Sequence, residues 1–166
     1  MKLRFSTAIQ ADAPELAAVH TAANENLTQR FGQGRWSTVA TEKGVLFNMR
    51  HSRVIIARKG KHIVGTLNLQ TKKPWAIDVS YFTPVKKSIY LVGMAVIPAM
   101  QKQGVGRALL EEATKQARAW PAYAIRLDAW DAVAGAGPFY AKCGYREMAH
   151  ALYKTAPLIY FELLLR

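Results

Sequence analysis

The sequence SIYLVGMAVIPAMQKQGVG, residues 88–106, joins an apolar run to a loop that contains two glycines. The apolar run predicts a buried strand over Ser88–Ile97, and the residues after Gly104 have the spacing of a helix. The unpaired N–H groups of the first helical turn then face the end of the strand. A strand, a glycine loop and a helix N-terminus in this order predict a binding site for an anion.

The elements around this stretch predict a mixed sheet. The helix ends at Pro121, and Ile125–Trp130 has the composition of a second strand. One helix between two strands predicts a right-handed parallel βαβ unit. Upstream, the runs 53–58 and 62–69 flank Lys59-Gly60-Lys61 and predict an antiparallel hairpin. We therefore expect both parallel and antiparallel neighbours in one sheet.

The ends of the chain supply the remaining elements. Leu3 to Ile9 alternate with polar residues and predict a first strand. Asp12 as N-cap and Glu15 as a capping-box partner predict a helix over Ala13–Leu27. Further elements are expected as short helices over Glu42–Arg50 and Pro138–Cys143, and as strands over Tyr145–Tyr153 and Leu158–Leu165. We expect residues 1–166 to form a single α/β (α+β) domain with a mixed, mostly antiparallel sheet of about six to seven strands flanked by helices.

The charge of the chain is strongly basic. The 166 residues carry a formal net charge of +12, and 51% of them are hydrophobic. Between Lys43 and Arg107 there are 12 Lys or Arg residues and one acid, Asp78. Such a surplus fits a soluble basic surface, nucleic acid as a partner, or a multiply phosphorylated cofactor. Charge alone leaves these three interpretations open.

Other features narrow the class of protein. No apolar run approaches the ~20 residues that span a bilayer, so we expect no membrane association. Cys143 is the single cysteine, which fits a reducing compartment, and we expect a cytoplasmic protein. The four histidines, His20, His51, His62 and His150, lack metal-ligand spacing, and no metal is expected.

A dinucleotide fingerprint is the first alternative for the glycine loop. It needs a third glycine three residues after Gly106 and an acid about 20 residues further on. Asp128 has the required distance, but Leu109 occupies the third glycine position. The phosphate-binding lysine of a P-loop is also missing. These departures count against both nucleotide motifs.

Two segments resemble one known family. Gln101-x-x-Gly104-x-Gly106 after Met94-Ala-Val-Ile-Pro98 resembles the acyl-CoA pyrophosphate loop of the GNAT superfamily of acetyl-CoA-dependent N-acetyltransferases. Phe139-Tyr-Ala-Lys-Cys-Gly-Tyr145 resembles the FY-x-K-x-GF segment of the same family. The order of elements agrees over nearly the whole chain. The resemblance implies a GNAT-like fold with acetyl-CoA as co-substrate and no metal.

The resemblance also implies roles for individual residues. The backbone N–H of Met94 would polarise the thioester carbonyl, and the phenol of Tyr140 would act as general acid toward the leaving thiolate. Gly93 would open the strand to the cofactor's pantetheine arm. The residues expected to contact acetyl-CoA are Met94, Ala95, Val96, Gln101, Lys102, Gln103, Gly104, Val105, Gly106, Arg107, Phe139 and Lys142.

The general base and the acceptor site are less clearly marked. Family members often carry an acidic or polar residue at the position of Gly93 and an Asn at that of Val133, so neither position supplies a base here. Asp128 is a candidate base, with the carboxylates of Asp131, Asp78 and Glu147 as alternatives. Four aromatic residues could wall an acceptor pocket or anchor loops: Trp36, Trp75, Tyr81 and Phe82.

The expected function is transfer of the acetyl group of acetyl-CoA to a primary amine by direct attack in a ternary complex. The acceptor could be a small molecule or a protein. A non-catalytic acyl-CoA sensor is the first alternative, because no base is obvious, and a basic nucleic-acid-binding module is the second. Nucleic acid is not the expected partner, and the oligomeric state stays open, with a homodimer as one alternative.

Overall fold

The computed structural model describes residues Met1–Leu165. The strands are β1 (Arg4–Thr7), β2 (Arg53–Lys59), β3 (His62–Gln70), β4 (Ser88–Val96), β5 (Ala124–Trp130), β6 (Arg146–Tyr153) and β7 (Ala156–Leu164). The helices are α1 (Ala13–Phe31), α2 (Glu42–His51), α3 (Val105–Ala119) and α4 (Gly137–Lys142). Short 3-10 turns cover Gln10–Asp12, Val79–Tyr81 and Pro98–Met100.

The seven strands form one mixed sheet in the order β1-β2-β3-β4-β5-β7-β6. The pairs β1–β2, β2–β3, β5–β7 and β6–β7 are antiparallel. β4 and β5 are parallel, with Ser88 opposite Ala124 and Tyr90 opposite Arg126. Since α3 connects these two strands, the predicted βαβ unit and the predicted mixed sheet are confirmed.

Contacts group the chain into two compact units. Met1–Leu69 and Gly93–Glu112 form the first unit. Its core contains Leu16 and Val19 of α1, Val45 of α2, and Val54, Ile56, Ile63 and Ala95 of the strands. Gly65 of β3 lies under α3, where an added Cβ would approach Leu109 Cδ1 to 2.8 Å. This close packing fixes the first turn of α3 against the sheet.

The start of α1 differs from the predicted capping box. Asp12 has helical backbone angles and caps no helical amide with its side chain. Its carboxylate accepts a hydrogen bond from the Ile9 N–H (2.9 Å) and pairs with Arg58. The Glu15 carboxylate accepts from the Ile63 N–H at 2.8 Å. Asp12 is the N-cap residue and α1 begins at Ala13, as predicted. The predicted capping hydrogen bonds are absent, because Asp12 pairs with Arg58 and Glu15 accepts from Ile63, both on the neighbouring hairpin.

The second unit comprises Gln70–Val92 and the chain from Ala113 onward. The long segment before β4 packs on the sheet through Ile77 and Phe82, which contact Tyr160 of β7. Buried Arg126 of β5 pairs with buried Glu162 of β7 at 3.1 Å. Arg126 also donates to the Thr83 carbonyl at 2.6 Å. These contacts hold the segment in place, because a buried charge must be fully paired.

Two predicted boundaries need correction. α1 continues to Phe31 rather than ending at Leu27, because the chain between them contains no glycine or proline that would stop the helix. Pro157 lies inside β7 instead of between the last two strands. It is the second residue of the strand, and its carbonyl accepts a hydrogen bond from the Asp131 N–H at 3.0 Å, so its missing N–H does not interrupt the sheet.

Candidate functional site

The glycine loop is tied to the end of β4 by two glutamine side chains. The side-chain amide of Gln101 donates to the Val96 carbonyl at 3.1 Å. The side-chain amide of Gln103 donates to the Ala99 carbonyl at 2.8 Å. Because both bonds end on backbone oxygens just before the loop, they set its direction as it enters α3.

Left-handed backbone angles shape this loop. Lys102 has φ 60° and Gly104 has φ 88°. A Cβ added at Gly104 would meet no atom within 4 Å, so this glycine is required by its φ and not by crowding. The Gly104 carbonyl accepts the Ala108 N–H at 3.0 Å, which starts the helical hydrogen bonds. Turns with left-handed residues before a helix form a concave row of N–H groups that suits an anion.

The residues around this row fit a pyrophosphate. Lys102, Gly104 and Arg107 are exposed, so two cations flank an open backbone surface. Val105 is buried and anchors the first turn of α3. Gln101 and Gly106 are partly buried, and Gln103 is exposed. The loop therefore has the charge and the open backbone face that the two phosphates of a CoA would need.

Gly93 lies within β4, has φ 60° and is exposed. A non-glycine residue would be strained at this angle. Met94 and Val96 are partly buried on either side of buried Ala95. The strand ends at Val96, and the N–H of the next residue, Ile97, donates to the Val64 carbonyl of β3 at 3.0 Å. The positive φ of Gly93 lies at the position where the sequence predicts a bulge or a close backbone approach.

Tyr140 lies on α4 and its side chain is buried. Its ring contacts Phe139, Tyr145 and Phe161, with centroids 5.4, 5.8 and 6.0 Å away. Burial raises the pKa of the phenol strongly, and the nearby Asp128 carboxylate and Cys143 thiol raise it further. The phenol therefore keeps its proton at neutral pH. Phe139 is partly buried and Lys142 is exposed on the same helix.

Asp128 differs from the other candidate carboxylates. It lies on β5 opposite Tyr160, and burial raises its pKa. Asp78 instead accepts hydrogen bonds from the Ser80 hydroxyl and N–H, which lower its pKa. Asp131 and Glu147 are occupied by His150, whose Nδ1 lies 2.9 Å from Asp131 and whose Nε2 lies 2.5 Å from Glu147. Asp128 thus differs from Asp78 in the direction of its pKa shift, and from Asp131 and Glu147 in having no histidine partner among the described residues.

A groove of about 440 Å³ lies beside these carboxylates. Its lining combines acids, an imidazole, two phenols and aliphatic groups, from Asp78, Tyr81, Asp131, His150, Ala151, Leu152, Pro157 and Tyr160. The two carboxylates hydrogen-bonded to His150 raise the pKa of its imidazole. The sequence does not predict that His150 bonds these two carboxylates, because Asp131 follows β5 and is 19 residues away along the chain.

The four predicted acceptor aromatics have different environments. Tyr81 lines the groove, whereas Phe82 is buried against Tyr160. Trp75 is 82% exposed. The Trp36 indole N–H donates to the Gly32 carbonyl at 3.0 Å, which makes it a loop anchor. Of the four, Tyr81 alone is among the residues that line this groove.

The candidate site residues fall into two groups. Met94–Val96 and Gln101–Arg107 belong to the first unit, and Asp128 and Phe139–Lys142 to the second. Within residues 1–165, no group of three or more His, Cys, Asp or Glu side chains is arranged to hold a metal ion. No helix in that part of the chain is long and apolar enough to cross a bilayer.

Comparisons with known proteins agree on one family. The sequence model of the Acetyltransferase (GNAT) family matches residues 18–145. No curated protein sequence matches the chain. Among solved structures, the ribosomal-protein-S18-alanine N-acetyltransferase from Escherichia coli superposes with a TM-score of 0.73 at 18% identity, covering 99% of this chain and 94% of that one.

Two further structures have the same fold. The ribosomal-protein-alanine N-acetyltransferase from Brucella melitensis gives a TM-score of 0.72 at 20% identity, over 98% of this chain and 99% of that one. The Salmonella typhimurium protein yncA, solved with its cofactor acetyl-CoA, gives 0.70 at 15% identity, over 99% and 94%. With the family match over most of its length, the chain belongs to the GNAT family of acetyltransferases.

Proposed function

We propose that this protein transfers the acetyl group of acetyl-CoA to a primary amine by direct attack in a ternary complex. The observation that carries the proposal is the buried phenol of Tyr140 beside Asp128. One group holds a proton at neutral pH, and the other is a carboxyl whose pKa is raised. Acyl transfer to an amine needs both, because a proton leaves the nucleophile and another reaches the leaving group.

The residues of the glycine loop would hold acetyl-CoA. Backbone N–H groups from Gln103 to Arg107 would bind the pyrophosphate, and Lys102 and Arg107 would add charge. Gln101 keeps the loop in position through its bond to Val96. Phe139 and Lys142 would contact the cofactor from α4. When bound, acetyl-CoA supplies the thioester whose carbonyl carbon the amine attacks.

Three groups would act at the reacting atoms. The N–H of Met94 would donate a hydrogen bond to the thioester carbonyl as negative charge develops on its oxygen. Tyr140 would deliver the proton of its phenol to the departing sulfur. Asp128 would accept the proton that the attacking amine loses. General acid or base groups of this kind typically accelerate a reaction by about 10²- to 10⁴-fold.

The groove supports an amine as the acceptor. Asp131 on its wall is paired with the imidazole of His150, whose pKa is raised. The carboxylate of Asp78, which accepts hydrogen bonds from Ser80, supplies the negative charge of the wall, although the chain as a whole carries a net charge of +12. A protonated amine is attracted to such a wall, whereas an acidic acceptor is repelled. Tyr81 and Leu152 add apolar surface for the carbon chain of the acceptor.

An amine screen tests this function. Acetyl-CoA is mixed with a panel that contains phenylethylamine, spermidine, kanamycin and a peptide with a free N-terminal alanine, and free thiol is followed. At least one amine is expected to release thiol above the rate without acceptor. Tyr140→Phe is expected to lower kcat by about 10²-fold or more, with the affinity for acetyl-CoA unchanged in calorimetry.

Other outcomes of the screen favour the alternatives. Tight acetyl-CoA binding without turnover of any amine supports a sensor. Nucleic-acid binding that weakens steeply with salt and survives saturating CoA supports the nucleic-acid module. Full activity of Tyr140→Phe removes the phenol from the mechanism and leaves the family assignment intact.

A further inference from the structure

The side chain of Asn68 fills the place of the one that Gly93 lacks. If Gly93 carried a Cβ, its three nearest neighbours would be the Asn68 amide atoms, with Nδ2 at 3.0 Å, Cγ at 3.6 Å and Oδ1 at 4.0 Å. Asn68 lies on β3 opposite Val54, and Gly93 lies on β4. The polar end of Asn68 therefore faces the space beside Gly93, the residue before Met94.

Asn68 is buried, with 4% of its surface exposed. Among residues 1–165, no hydrogen bond to its side-chain amide is present. Thr66, two residues earlier on the same face of β3, is equally buried, but its hydroxyl donates to the Ile55 carbonyl at 2.8 Å. The Asn68 amide is not among the fully buried polar atoms that lack a partner, so its unbonded atoms are within reach of a bound molecule. The exposed backbone of Gly93 marks the direction from which a partner can reach it.

We infer that Asn68 binds the acceptor amine and orients it for attack. The inference rests on the proposed function, which brings the thioester carbonyl to the N–H of Met94, one residue after Gly93. The amide atom nearest to Gly93 is Nδ2, so the side-chain amide turns over when the amine binds. Its oxygen then accepts a hydrogen bond from the amine N–H and directs the nitrogen lone pair toward the carbonyl carbon. A neutral amide takes no proton, so removal of the proton stays with Asp128.

Gly93 and Asn68 thus act as a pair. The polar side chain of Asn68, from the neighbouring strand, faces the space where Gly93 has no side chain. The φ of 60° at Gly93 keeps the strand open beside the Asn68 amide. Orientation of the nucleophile is a large part of the rate enhancement in two-substrate reactions, so Asn68 affects turnover as well as binding of the amine.

Three variants test the inference with acetyl-CoA and the amine that the screen turns over fastest. Asn68→Ala is expected to lower kcat/KM for the amine by about tenfold or more, with acetyl-CoA affinity unchanged. Asn68→Asp places a carboxyl at the same point, so its kcat/KM gains an extra ionisation in the pH profile. Thr66→Val removes a buried polar group from the same face of β3, and it is expected to keep wild-type kinetics.

The remaining outcomes contradict either the role of Asn68 alone or the proposed function as well. Wild-type kcat/KM in Asn68→Ala, or equal losses in Asn68→Ala and Thr66→Val, overturns the inference while the proposed function stands. A wild-type pH profile in Asn68→Asp overturns it also, and this readout serves if thermal melting shows that Asn68→Ala is unfolded. If the unsubstituted protein turns over no amine, the proposed function fails and the role of Asn68 fails with it.

Discussion

At the residue scale, Gly104 is a position where a substitution strains the backbone without causing a steric clash. Its φ of 88° is unfavourable for any side chain, yet a Cβ there would touch nothing within 4 Å. A substitution can therefore act only through the backbone angle of the loop. Gly32, at the end of α1, has the same properties, with φ 83° and an equally open surround. The two glycines form a matched pair for measuring what the loop contributes.

We predict that Gly104→Ala weakens acetyl-CoA binding, whereas Gly32→Ala leaves it unchanged. Each substitution should cost about 1–3 kcal/mol of unfolding free energy, because each places a Cβ on a backbone with positive φ. Denaturant titration measures the shared stability cost, and calorimetry with acetyl-CoA measures the difference. Equal affinities in the two variants would remove the loop angle from cofactor binding.

Single residues also show which features of the structure can be predicted from the sequence. Gly93, Gly104 and Gly144 all take positive φ, as their places in a strand, a loop and a helix end suggest. Glycine is informative because few other residues adopt these angles. Asn68 carries no comparable signal within its own strand. Its position beside Gly93 depends on β3 and β4 being neighbours in the sheet, which the pattern of a single strand does not predict.

At the scale of elements, β5, β6 and β7 are linked by side chains from distant parts of the sequence. His150 of β6 joins Glu147 of the same strand to Asp131, which follows β5. Asp131 in turn donates its N–H to Pro157 of β7. These contacts, like those of Asp12 and Glu15 with the β2–β3 hairpin, depend on strand order. Periodicity predicts the elements themselves but not which side chains meet across them.

The histidine link predicts a pH-dependent stability. Two carboxylates raise the pKa of His150 above its ordinary value of 6.5. The stabilisation is therefore fully present below about pH 6.5 and is lost as pH rises through the higher folded-state pKa. Thermal melting should show that His150→Gln lowers Tm most below pH 6.5 and progressively less above it.

His51→Gln is the control for this pH dependence, since the His51 ring bonds the Phe47 carbonyl rather than a carboxylate. A His150→Gln effect on Tm that is the same from acid to alkaline pH would show that the imidazole does not titrate against its partners. The same result in both variants would point to a general property of the fold.

At the scale of the whole molecule, charge is unevenly distributed. The chain carries +12, and most of the surplus lies between Lys43 and Arg107, which includes the glycine loop. The groove beside Tyr81 contains Asp78 and Asp131 instead. Under the proposed function, the basic surface would attract the phosphates of acetyl-CoA, and the carboxylate of Asp78 would attract a protonated amine.

This distribution predicts that the binding of acetyl-CoA depends on salt. Raising NaCl from about 0.05 to about 0.5 M should weaken acetyl-CoA binding, because salt screens exposed cations from the phosphates. Lys102→Gln should make that salt dependence shallower. Calorimetry at several salt concentrations measures both effects. An acetyl-CoA affinity that does not change with salt would exclude a main role for the basic surface in holding the cofactor.

The left-handed lysine of the loop has a consequence for engineering. Lys102 holds φ 60°, an angle that a glycine would adopt without strain. Lys102→Gly would therefore relax the backbone but remove a cation from the anion-binding face. Thermostability and cofactor affinity change in opposite directions at this position, so selection for stability alone would lead away from the natural residue.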